Sequence, residues 1–60
     1  MDKTLAEKMV LYRAKHNLSQ SELASKCEVS LQTINSIENG LQNPSRLTEM
    51  KIRLVIEEEV

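Results

Sequence analysis

Sixty residues give room for one domain, and a 40% apolar content is enough for one small core. A chain of this size folds with a stability on the order of 5 kcal/mol or less. The formal net charge of −1 excludes strong long-range steering toward a polyanion, and the single cysteine excludes an internal disulfide. Tyr12 is the one aromatic residue, so Leu, Ile, Val and Met must do the packing.

The total charge hides its distribution. Asp2, Glu57, Glu58 and Glu59 put four of the nine acids at the ends of the chain. From Lys3 to Arg53, eight Lys and Arg stand against five Glu, a surplus of three positive charges in the body. A local basic surface is therefore compatible with phosphate binding. No apolar run approaches the roughly 20 residues of a membrane helix, and nothing resembles a signal peptide. A cytoplasmic location is expected.

Residues 4–16 read as the first helix. Leu5, Met9, Tyr12 and His16 follow an i, i+4, i+7, i+11 stripe, and Asn17 suits the left-handed residue that ends it. His16 has no neighbouring ligand of metal type and is expected to face solvent or phosphate. Val10 and Leu11 widen the buried stripe or form a small exposed patch.

Residues 20–27 and 31–39 read as two short helices. Ser19 and Glu22 have the spacing of a capping box, and Ser30 is a second N-cap. Leu23, Ala24 and Cys27 mark the inner face of the second helix, Ile34 and Ile37 that of the third. Asn39-Gly40 supplies a stop. Two helices joined by a turn of about three residues form a helix-turn-helix pattern.

The motifs Leu18-Ser-Gln-x-x-Leu-Ala24, Val29-Ser30, Thr33-Ile34, Ile37-Glu38-x-Gly40 and Asn43-Pro44-Ser45 stand in register. Together they resemble the DNA-binding domains of phage repressors and Cro proteins, the XRE-like family, over roughly Leu5 to Ile56. The resemblance implies an all-α fold, a compact four-helix and at most five-helix repressor-like domain spanning residues 1–60. It implies that Arg13 pairs with Glu38 and ties the first helix to the third. It places Gln20 against the DNA backbone at the start of the second helix, where it also helps position the reading helix. Cys27 stands where the family has a small apolar residue and is read as core. Glu28 departs from the pattern, which often has Gly in the turn.

The third helix is then the reading helix. Ile34 and Ile37 anchor it, which leaves Leu31, Gln32, Asn35 and Ser36 as candidate base contacts. Gln32 suits a bidentate pair with adenine, as does Asn35 if it faces inward, and Leu31 suits a thymine methyl. The helix holds no Arg or Lys, which argues against guanine readout. Thr33 is directed at the backbone or at the second helix. Asn39, Asn43 and Arg46, around the loop with Pro44, are expected at phosphates.

A last helix, residues 45–58, carries two apolar stripes: Leu47, Met50 and Leu54 on one side, Ile52, Ile56 and Val60 on the other. Periodicity prefers the first stripe for the core, and the family's register prefers the second. Either choice leaves one stripe for a partner. Dimerisation is expected here, with Ile52, Ile56 and Val60 at the interface and three terminal glutamates weakening it.

The expected function is a sequence-specific DNA-binding regulator, a repressor that binds a two-fold symmetric double-stranded operator as a homodimer. The alternative is a protein-interaction or antitoxin-like module on the same fold. One His, one Cys and no acid pair in an evident cleft give no catalytic constellation, so no enzyme, metal, cofactor or small-molecule ligand is expected.

Overall fold

Four hydroxyl side chains decide where the helices begin. In the computed structural model, which describes residues 4–57, Thr4, Ser19, Ser30 and Ser45 are extended and cap α1 (Leu5–His16), α2 (Gln20–Cys27), α3 (Leu31–Glu38) and α4 (Arg46–Ile56). Each hydroxyl accepts from the amide three residues on, at 3.1 Å for Glu7, 3.0 Å for Glu22, 3.1 Å for Thr33 and 3.2 Å for Thr48. Glu22 returns its carboxylate to the amide of Ser19 at 2.8 Å, and Glu7 does the same for Thr4 at 2.9 Å. The helix boundaries match the expected ones to within a residue over the described part of the chain.

The first three helices end alike. Asn17, Glu28 and Gly40 adopt left-handed geometry, with φ of 56°, 59° and 71°. After each, the next amide reaches back five residues: Leu18 to Arg13, Val29 to Ala24 and Leu41 to Ser36. This wrapping satisfies carbonyls that a bare helix end leaves orphaned. Glu28 takes the left-handed turn without being glycine, at a cost of roughly 1 kcal/mol. Lys51 Nζ donates to the Glu28 carbonyl from α4 at 3.5 Å.

The core is built from Met9, Leu23, Ala24, Cys27, Ile34, Ile37 and Ile52, with Leu5, Tyr12, Val29, Val55 and Ile56 packed around it. Burial pushes the Cys27 thiol pKa up, which keeps it a small apolar packing group. α4 lies against α2 and α1. Its register decides between the two apolar stripes. Ile52 is 0% exposed, while Leu47, Met50 and Leu54 are 64%, 54% and 71% exposed.

Two expectations are corrected here. Ile52 cannot lie at an interface, because the monomer already closes over it completely. His16 does not face solvent freely: it is half-buried, its ring centre 4.3 Å from that of Tyr12. Ile56 is half-buried against the core, and Val60 lies outside the described residues. Among the described residues no helix is long and apolar enough to cross a membrane.

Candidate nucleic-acid interface

The turn Glu28-Val29-Ser30 brings α2 and α3 together. Val29 packs on the core, and the Ser30 cap starts α3 at once. Because Ile34 and Ile37 point inward, Leu31, Gln32 and Asn35 are exposed and Ser36 is half-buried at the edge of the same outer face. Gln32 makes no side-chain hydrogen bond among the described residues. An outward carboxamide beside a leucine at the first turn of a helix matches what a major groove presents, paired donors and acceptors next to methyl groups.

The remaining expected contacts are spread around this face. Asn43 and Arg46 are exposed on the loop and at the first turn of α4. Thr33 is half-buried, and its hydroxyl lies 2.8 Å from that of Ser30, within the cap of its own helix. Gln20 and Asn39 flank the outer face of α3, and both are bonded to other protein groups.

Those bonds form one network. Arg13 Nε donates to Glu38 Oε2 at 2.8 Å and its Nη2 to Glu38 Oε1 at 2.7 Å, a bidentate pair between α1 and α3. The Glu38 side chain is 5% exposed and that of Arg13 22%. Arg13 Nη1 also donates to the Leu18 carbonyl at 3.3 Å. Gln20 Nε2 donates to Glu38 Oε1 at 2.9 Å, and Gln20 Oε1 accepts from Asn35 Nδ2 at 3.1 Å. Asn39 Nδ2 donates to the Asn35 carbonyl at 2.9 Å and to Asn35 Oδ1 at 3.2 Å.

Burial alone would raise the Glu38 pKa. The hydrogen bonds from Arg13 and Gln20 and the Arg13 charge outweigh it and hold the carboxyl below its ordinary range. The hydrogen bond to Glu38 likewise raises Arg13 against the effect of burial. Glu38 is thus an anion with its acceptors filled from α1 and α2.

A second set of charges ties α1 to α4. Lys8 Nζ lies 3.0 Å from Glu57 Oε2, and Arg53 meets Glu57 at 2.6 Å and Glu49 at 2.7 Å. Glu57 is therefore compensated within its own chain, which lessens the repulsion expected from the acidic end. Sequence reasoning missed this set, although the i, i+4, i+8 order of Glu49, Arg53 and Glu57 signals it. It also missed the Gln20–Asn35 bridge, for which no sequence signal exists.

A family model described as a helix-turn-helix matches residues 11–52. An uncharacterized HTH-type transcriptional regulator of Methanocaldococcus jannaschii is 48% identical over 48 residues, which cover 80% of this chain and 73% of that protein. No solved structure matches the chain. The matched span runs from α1 through α2, the turn and α3 into α4, and with it the chain belongs to the XRE-type helix-turn-helix family of DNA-binding transcriptional regulators.

Proposed function

We propose that this chain is a transcriptional repressor that binds a two-fold symmetric operator as a homodimer, with α3 in the major groove. The outer face of α3 carries this reading: Leu31 and Gln32 are exposed at its first turn, with Ser36 one turn further on. Gln32 pairs with an adenine edge and Leu31 packs on a thymine methyl, so the half-site is read chiefly at A·T pairs. Gln20, Thr33, Asn39, Asn43 and Arg46 meet phosphates and fix the register. The chain acts by binding and not by catalysis.

Dimerisation supplies the symmetry. With Ile52 inside the core and Ile56 packed against it, the exposed Leu47, Met50 and Leu54 take over the partner face, spaced i, i+3, i+7 along α4. Crossed by a second copy around Met50, Leu47 of each chain meets Leu54 of the other. The domain measures 27 × 26 × 19 Å, so two copies side by side can span successive major grooves, about 34 Å apart.

The test is duplex binding at several salt concentrations, with every base pair of the site varied in turn. Wild type binds one sequence best and loses affinity as salt rises. Gln32→Ala should lose about 1–3 kcal/mol of discrimination at one base pair and little elsewhere. An equal loss on every duplex would make Gln32 a phosphate contact and remove it from the reading set.

A further inference from the structure

The hydrogen-bond chain across α2 and α3 has a fixed direction. Glu38, paired with Arg13, can only accept, so the carboxamide of Gln20 must turn its nitrogen to it. That leaves Gln20 Oε1 to accept from Asn35 Nδ2, and Asn35 Oδ1 to accept from Asn39 Nδ2. Every donor on the outer side points toward the buried carboxylate, an arrangement in which each bond polarises the next.

Asn35 is therefore committed at both ends. A bidentate pair with adenine needs its oxygen and its nitrogen together. Both atoms already hold partners on the protein, and turning to a base would break two bonds. A phosphate needs only one donor, and Gln20 can supply it without breaking either of its bonds, since Glu38 takes one of its two amide hydrogens. It stands at the first helical position of α2, beside the other outward amides of that helix end.

We infer that Asn35 is a positioning residue: it holds the Gln20 carboxamide in place as a phosphate donor and couples that backbone contact to the orientation of the reading helix. Base reading then falls to Leu31, Gln32 and Ser36. The inference rests on the DNA-binding reading above. It assigns to Asn35 an effect on affinity that is uniform over sequence and exists only while Gln20 is present.

A double-mutant cycle on the selected duplex and its single-base-pair variants tests it, with wild type, Asn35→Ala, Gln20→Ala and the double variant. All measurements are made well below the lowest melting midpoint. Asn35→Ala should weaken binding to every duplex by about tenfold, the loss of one to two hydrogen bonds, and leave the order of preference unchanged. The double variant should bind no more weakly than the weaker of the two single variants. Asn35 sits on an exposed helical face where alanine is a good helix former, so folding is retained.

A loss confined to one base pair would make Asn35 a reader and overturn the inference. Additive losses from the two single changes would overturn it too. So would a change in melting midpoint with no change in affinity, the mark of a merely structural bond. If wild type itself shows no salt-dependent duplex binding, the DNA-binding reading fails first and the role of Asn35 fails with it. If wild type binds and the cycle is additive, the inference fails alone.

Discussion

At the scale of single residues, the pair of Arg13 and Glu38 holds three helices in one geometry. Two charge-assisted hydrogen bonds meet a carboxylate that is 5% exposed, and Gln20 from α2 supplies a third. Removing one partner leaves the other charge poorly solvated. Arg13→Ala and Glu38→Ala should each cost about 2 kcal/mol, with the double change costing clearly less than their sum. Chemical denaturation of the four proteins checks this. The pH dependence has a definite sign. The Glu38 pKa is lowered on folding, so its contribution is complete above the ordinary value of 4.5 and fades as pH falls through the folded value. The stability gap between wild type and Glu38→Gln should therefore be widest near neutral pH and close under acid conditions. A gap independent of pH would mean that the carboxylate is not the stabilising form. The contact joins positions 25 residues apart, so no local pattern reveals it, and only the family resemblance brought the two residues together. The bond from Asn35 to Gln20 was hidden from both routes. Side-chain amides serve reading and bracing equally well, and the choice depends on what stands opposite them in space.

At the scale of elements, the helices were legible because their punctuation is local. Ser19, Ser30, Asn17 and Gly40 act within one turn of chain, and their chemistry carries over directly from sequence to boundary. α4 was less legible. Two apolar stripes compete on its 11 residues, and periodicity favoured the one that packing leaves outside. Tertiary packing chose Ile52, because that side meets the crease between α1 and α2. Glu28 shows the opposite case, a local rule broken. Its φ of 59° suits glycine, and the residue holds the turn through the amide bonds of its own helix end. Glu28→Gly should raise stability by about 0.5–1 kcal/mol, the relief of left-handed strain less the added entropy of the unfolded chain. A thermal melt reads this, and an unchanged or lower midpoint would mean that the glutamate side chain contributes what the turn loses.

At the scale of the whole molecule, the two proposed surfaces lie on different helices. α3 turns Leu31 and Gln32 outward, and α4 turns Leu47, Met50 and Leu54 outward, with the core between them. In the proposed dimer, two molecules joined through α4 would present two reading helices related by a two-fold axis, and that symmetry would pass to the operator. Charge does not drive this encounter over long range, since the net charge is −1. Under the proposed function, affinity depends on short-range contacts and on the second subunit, and operator binding would draw monomers into dimers. The measurement that bears most directly on this account is selection of binding sites by the wild-type chain from a random duplex library at moderate salt. The expected result is an inverted repeat with half-site centres about one helical turn, 34 Å, apart and A·T pairs at the positions facing Gln32 and Leu31. Recovery of unrelated sequences, or of one enriched site without two-fold symmetry, would contradict it.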